Sequence, residues 1–236
     1  MRHFIFDVDG TLTPSRGKMD PEFKDYFIKF AKANYAYIVT GSDYGKTFEQ
    51  MGEAIAPCQI SYNCSGNSVH VAGTEMYRND WVLEGAMRTF FEGTLERHPY
   101  NEKTGLHLED RPGMCNFSVV GRNATPEQRA RYVEYDLKTK DRETIANKFN
   151  KVYVKHGIKA SVAGETGLDI MPLDAGKAQI LADFEDISEV IFFGDKCMPG
   201  GNDHDIASEV SLEGMVHNVD NYNETWQIMK GYWNDK

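Results

Sequence analysis

Short runs of β-favouring apolar residues recur along the chain and are separated by amphipathic helical stretches. Phe4, Ile5, Phe6 and Val8 read as a strand buried on both faces, Tyr35 to Val39 as another buried run, and Gln59 to Asn63, Glu189 to Phe193 and Met215 to Val219 as further strands. Between the first two, Asp20-Pro21-Glu22 opens a helix whose Phe23, Phe27 and Phe30 fall on one face. Asp43 to Ile55, Asp174 to Phe184 and Tyr222 to Lys230 read as further helices, and Ser68 to Ala72 as a short hairpin strand. Strand and helix in alternation predict an α/β fold around a parallel sheet.

From about Tyr77 the pattern changes. A helix over Gly85 to Arg97 is followed by alternating strands over Gly105 to Glu109 and Met114 to Val120. A long charged helical region comes next, opening at Thr125-Pro126-Glu127, interrupted near Thr139-Lys140-Asp141 and ending by His156. Two more strands follow, Lys159 to Val162 and Gly167 to Met171. A block of this kind enclosed by α/β sequence predicts a discontinuous core, residues 1–76 and 175–236, with an α+β lid inserted over 77–174 and hinges near Tyr77 and Pro172.

Composition narrows the partners. The net charge of −10 and pI near 5.2 argue against a nucleic-acid or anionic-membrane surface, so any anionic ligand must be met by local basic residues. No run approaches the length of a membrane span, and a chain that opens on a strand carrying two acids is expected to be cytoplasmic. The four cysteines lack CxxC spacing and are expected to be reduced.

Chemistry concentrates where strands end. The first strand runs into Asp7-Val8-Asp9-Gly10-Thr11, placing two carboxylates at a carboxyl end, where open α/β sheets bind ligands. Buried acids at i and i+2 are costly without a cation. Val190 to Phe193 runs in the same way into Gly194-Asp195, followed by Lys196-Cys197-Met198-Pro199-Gly200-Gly201-Asn202-Asp203.

Together FDVDGTLT and FFGDK-x-x-PGGND resemble the haloacid dehalogenase superfamily, and over almost the full length the chain resembles the eukaryotic-type phosphomannomutases. The resemblance implies a Rossmann-like core with an inserted cap, and a mutase interconverting mannose 6-phosphate and mannose 1-phosphate, with glucose phosphates also admitted. The alternative on the same scaffold is a magnesium-dependent sugar-phosphate phosphatase. Asp7 would be the nucleophile, Asp9 the general acid/base, and Lys177 the cation that neutralises phosphate and nucleophile. Mg2+ would be held by Asp7, Asp195 and the carbonyl of Asp9, with Asp203 ordering the loop behind them. Thr40 or Ser42 would bind the phosphoryl oxygens, and Arg16 would make a further phosphate contact.

Arg111, Arg122 and Arg129 match the arginines that hold the remote phosphate, and Asn116 and Asp169 match positions that contact the sugar. Gly167 departs from the family, which has Ser there contacting the distal phosphate, so one hydrogen bond is expected to be missing. Ala207, Glu209 and Leu212 depart from the stretch where the family binds a second cation. A hexose bisphosphate activator, a homodimer through the caps and a place in GDP-mannose biosynthesis are implied by the resemblance alone.

Overall fold

The computed structural model describes residues 1–234 and divides the chain into two compact units, Met1–Asn79 with the chain from Gly176 onward, and Asp80–Ala175. In chain order the first unit contributes β1 (His3–Phe6), α1 (Pro21–Ala33), β2 (Tyr35–Val39), α2 (Tyr44–Met51), β3 (Ile60–Asn63), β4 (Ser68–Val71) and β5 (Thr74–Arg78). The second contributes α3 (Gly85–Glu96), β6 (Leu108–Arg111), β7 (Met114–Phe117), α4 (Pro126–Thr139), α5 (Asp141–Tyr153), β8 (Ile158–Ala163) and β9 (Gly167–Pro172). After it the first unit resumes with a 3-10 helix (Lys177–Asp183), β10 (Val190–Gly194), α6 (His204–Val210), β11 (Met215–Asn218) and α7 (Tyr222–Asn234).

In the first unit the strand order is β11-β10-β1-β2-β3-β4-β5. The pairings from β11 to β3 are parallel, and β4 and β5 add antiparallel hairpins at one edge. Phe4 and Phe6 pack with Phe23, Phe27 and Phe30 of α1 on one face of β1. Ile5 points the other way, into Phe192, Leu181, Ile206 and Val210. Burial of both faces explains why β1 reads as an unbroken apolar run, and each of these side chains contributes about 1.5–3 kcal/mol.

The Asp20 carboxylate caps α1 by accepting from the Glu22 and Phe23 N–H groups, with Pro21 in the first turn. α2 stops at Gly52, whose φ of +58° ends the α-helix and hands over to a 3-10 turn, so the helix expected to run to Ile55 is divided. The segment expected as a helix from Asp174 to Phe184 is a 3-10 helix over Lys177–Asp183. Lys177 and Ile180, three residues apart, are both buried there, and a 3-10 helix aligns that spacing on one face.

The unit boundaries lie at 79/80 and 175/176, a few residues beyond the expected 76/77 and 174/175. The difference at the first is β5, whose five residues are all exposed, so that no apolar alternation marks it as a strand.

The second unit is a four-stranded antiparallel sheet in the order β6-β7-β9-β8. Cys115, Phe117, Leu168 and Ile170 pack from the sheet onto the helical layer through Phe91, Tyr132 and Phe149. β6 begins at Leu108, three residues later than the alternation suggested, because Thr104, Leu106 and His107 bond instead to Val120, Arg122 and Ser118. Lys140, at φ +55°, forms the expected break between α4 and α5, and Thr125 and Gln128 make a reciprocal cap at the start of α4.

Candidate active site

From β1 the chain crosses to β2 and β3 on one side of the sheet, and it returns to β10 and β11 on the other. The strand order therefore reverses between β1 and β10, and the loops leaving their carboxyl ends part to make a crevice. Asp7 follows β1 and Asp195 follows β10, so both acids arrive there through backbone topology.

The loop after β1 is closed by the Val8 carbonyl, which accepts from the N–H groups of Thr11, Leu12 and Thr13. It needs Gly10, whose φ is +92° and where a Cβ would stand 2.5 Å from Asp195 Oδ2. The Asp7 carboxylate is buried and accepts from Lys177 Nζ at 2.5 Å and from Thr11 Oγ1 at 3.2 Å. Lys177 Nζ also donates to Asp203 Oδ1 at 2.6 Å, so one buried ammonium bridges two buried carboxylates.

Burial pushes the Asp7 carboxyl up to about 8, and the charges of Asp203 and Asp195 push the same way, while Lys177 pulls it down. Burial works against the Lys177 ammonium, but Asp203 and Asp7 outweigh it and hold the amine protonated well above its ordinary range. Asp195 is also raised, first by burial, and its side chain pairs with Lys196.

Asp7, Asp195 and Asp203 bring carboxylate oxygens within 4.8 Å of one another. An all-oxygen set with more acids than cations suits a hard divalent cation such as magnesium. Within the set Asp203 is already committed. Its Oδ1 takes Lys177, and its Oδ2 accepts the Lys196 N–H at 3.2 Å.

The Asp9 carboxylate lies outside this cluster. Its Oδ1 accepts from the Arg16 backbone N–H at 2.6 Å and from Gln50 Nε2 at 2.9 Å, while its Oδ2 lies 3.5 Å from Ser42 Oγ. Arg16, at φ +57°, thus meets Asp9 through its main chain. Of the two hydroxyls after β2, Ser42 faces Asp9, whereas Thr40 Oγ1 accepts the Ser42 N–H at 3.1 Å and shapes the turn.

Thr11 and Gln50 were missed in the sequence. Thr11 sat in plain view within the first motif, whereas nothing along α2 marks Gln50 apart from other polar helix positions.

In the second unit most of the predicted ligand-binding residues gather on the sheet face turned away from the helices, while Arg129 is carried by α4. Glu109 pairs in register with Asn116, Asn116 with Asp169, and Asp169 with Ser161, so these side chains form a row across four strands. Asn116 Nδ2 donates to Asp169 Oδ1 at 2.6 Å, and Arg122 Nη1 lies 3.4 Å from Asn116 Oδ1. Arg111 and Arg122 both pair with Glu109, the latter at 3.2 Å, and Arg129 pairs with Glu165 at 3.0 Å. Burial lowers the Arg122 pKa, as do Arg111 and Arg129, while Glu109 and Asp169 oppose the shift. Neither glutamate was singled out in the sequence. A Cβ at Gly167 would stand 2.9 Å from Asn116 Nδ2, so the Asn116 amide fills the room that a larger side chain would need.

A family model described as eukaryotic phosphomannomutase matches residues 23–234 of the chain. The chain belongs to the eukaryotic phosphomannomutase family. It is 30% identical to a phosphomannomutase of Saccharomyces cerevisiae over 239 residues, covering 98% of this chain and 93% of the relative. It is 31% identical to phosphomannomutase 1 of Mus musculus over 246 residues, covering 94% and 88%.

Among solved structures it is similar to a sugar phosphatase of haloacid dehalogenase subclass IIB, with a TM-score of 0.61, 15% identity and 99% of each chain covered. It is also similar to a Plasmodium falciparum IMP-nucleotidase, with a TM-score of 0.68, 15% identity, and 99% of this chain and 68% of that one covered. At such identities the likeness is one of fold alone.

Proposed function

We propose that this chain interconverts mannose 6-phosphate and mannose 1-phosphate, glucose phosphates being admitted, through an aspartyl phosphate on Asp7 and a hexose bisphosphate. The observation that carries the reading is the pairing, within one phosphomannomutase-family chain, of an Asp7–Lys177 centre with a separate cluster of three arginines. A mutase must hold one phosphate while the other reacts; a monophosphate hydrolase has less need of a second anion site.

In this reading Asp7 attacks phosphorus, and the phosphorus–oxygen bond to the sugar breaks. Asp9 gives its proton to the departing hydroxyl oxygen and takes one back when the other sugar hydroxyl attacks the aspartyl phosphate. With Asp9 Oδ1 held by Arg16 N–H and Gln50, Oδ2 is the oxygen left to carry the proton. Lys177 opposes the effect of burial by favouring the ionised form of Asp7, and it would balance charge on the transferring group. Ser42 would bind phosphoryl oxygens beside Asp9, with Thr40 holding the turn and Arg16 adding a phosphate contact. Bound magnesium, held by Asp7, Asp195 and the Asp9 carbonyl, would screen the phosphoryl charge. Asp203 would order the loop around Lys177 and Lys196.

Residues 77–174 would act as the lid, with Arg111, Arg122 and Arg129 on the non-reacting phosphate and Asn116 and Asp169 on the sugar. A cytoplasmic setting and a homodimer through the lids complete the reading. Among the described residues no helix is long and apolar enough to cross a membrane.

Gly167 supports a second reading, a sugar-phosphate phosphatase, because it removes a hydroxyl from the distal-phosphate site. Phosphorus NMR separates the two. With mannose 1-phosphate, magnesium and catalytic hexose bisphosphate, the mutase yields mannose 6-phosphate only when the bisphosphate is present. Release of inorganic phosphate without the 6-phosphate would overturn the mutase and establish the phosphatase.

A further inference from the structure

Each of the three arginines stands beside an acid. Arg111, Arg122 and Arg129 are matched by Glu109, Glu165 and Asp169. The pairing at Glu109 is unusual in its geometry. Its single oxygen Oε2 accepts from Arg111 Nε at 2.8 Å, from Arg111 Nη2, and lies 3.2 Å from Arg122 Nη2. The Nε–Nη2 edge of a guanidinium is one of the edges that grips phosphate through two parallel hydrogen bonds. Two mutually repelling guanidiniums thus converge on one carboxylate oxygen much as they would on an oxygen of a phosphate.

We propose that Glu109 is an internal anion that occupies Arg111 and Arg122 and must be displaced by the substrate phosphate, so that it weakens phosphate binding and hastens release. This rests on the reading above that the arginines hold a phosphate. Its consequence lies in turnover. A bisphosphate intermediate has to leave this cluster, or turn around in it, before the second transfer. A net-positive pocket of three arginines would hold a dianion too long, whereas a carboxylate that returns to the guanidiniums as phosphate departs shortens the stay. Glu109 is suited to such exchange because its side chain is 30% exposed, while those of Arg111 and Arg122 are 10% and 21% exposed. The carboxylate can swing toward water while the guanidiniums stay in place. A glutamate whose task was to orient the arginines would have the opposite effect, since removing it would loosen them and weaken binding.

The test uses the full chain labelled with nitrogen-15, following arginine side-chain Nε–H resonances assigned through Arg111→Lys and Arg122→Lys. Inorganic phosphate is titrated into the wild type, Glu109→Gln and Glu109→Ala, each checked for fold by circular dichroism. These resonances report the arginine cluster and not the acid site. The expected result is half-saturation at about fivefold lower phosphate in Glu109→Gln, the scale of one partly screened charge pair. In turnover the same variant lowers KM for the sugar phosphate and lowers kcat. Unchanged or weaker phosphate binding in both variants, with a clear response in the wild type, overturns the role of Glu109 and leaves the phosphate site standing. Arginine resonances that do not respond to phosphate in any of the three proteins would overturn the phosphate reading itself, and the proposal with it.

Discussion

Replacing Lys177 with methionine isolates the ammonium on which the acid centre depends. The side chains of Lys177, Asp7 and Asp203 are 1%, 3% and 0% exposed, with the nitrogen 2.5 and 2.6 Å from the two carboxylates. Methionine matches the length of the chain but removes the charge, leaving two buried carboxylates facing each other and Asp195. Breaking a buried ion pair by removing one partner costs about 3–5 kcal/mol, a large part of a domain's total stability. For a chain of this size that corresponds to a fall in Tm of roughly 10 °C. Without the ammonium that opposes burial, Asp7, already raised to about 8, rises further and stays a neutral acid, unable to attack phosphorus, even at pH 8. The loss of stability should therefore shrink as pH falls from 8 toward 5, where protonation relieves the orphaned charges. Asp203→Asn should recover part of it in the double mutant. Urea unfolding of the four proteins of the cycle, at both pH values and in the presence of chelator, measures each term. A Lys177→Met variant that loses less than about 1 kcal/mol at pH 8, or loses the same at both pH values, would refute the reasoning, because exposed pairs are worth no more than that.

Chelated wild-type protein should lose stability as pH rises from about 4 to 8. The folded Asp7 carboxyl, at about 8, binds its proton more tightly than the unfolded one, so ionisation favours unfolding throughout that interval. Magnesium should flatten the dependence, and a thermal-melt series with and without the ion would show it; coincident curves would count against Asp7 as a ligand. Gly10→Ala should lose magnesium-dependent activity by at least about tenfold, because its Cβ would sit 2.5 Å from Asp195 Oδ2 on a backbone at φ +92°. An active variant would mean that the Asp7–Asp9 loop has more freedom than its hydrogen bonds suggest. Gly167→Ser should raise KM for the sugar phosphate about threefold rather than restore a phosphate contact, since its Cβ displaces the Asn116 amide from Asp169. A lowered KM in steady-state assays would show that Asn116 yields and that the hydroxyl finds the phosphate.

The strands of the parallel sheet were legible because burial on both faces leaves an unbroken apolar run, and Phe4 to Phe6 and Tyr35 to Val39 carry that mark directly. β5 was not, because an edge strand with every residue exposed has no buried face to print a period on the sequence. That the helix expected over Asp174 to Phe184 is a 3-10 helix over Lys177–Asp183 was hidden for a related reason. Its conformation is set by where Lys177 must reach, a tertiary demand that intrinsic propensity does not encode. In the acid centre, Asp7 and Asp195 stood out because each follows a strand. Gln50 did not, since its importance comes from facing Asp9 across 41 residues of chain. Glu109 and Glu165 were passed over because attention went to the cations, although a guanidinium that is this buried requires a counterion.

The two units solve opposite electrostatic problems in a protein of net charge −10. Around Asp7 the sheet's switch point gathers acids, and a single buried lysine leaves them in excess, a balance that in the proposed reading a divalent cation completes. In the second unit Arg111, Arg122 and Arg129 are paired with Glu109 and Glu165, so in the proposed reading an incoming dianion competes for guanidiniums that already have partners. The first arrangement favours durable cation binding, because losing the ion leaves buried carboxylates uncompensated. The second favours exchange, because the internal carboxylate keeps the guanidiniums satisfied whether or not phosphate is bound. A reaction that passes one sugar through two phosphate positions needs this difference: the phosphate undergoing transfer must be held firmly, and the remote one must be free to let go.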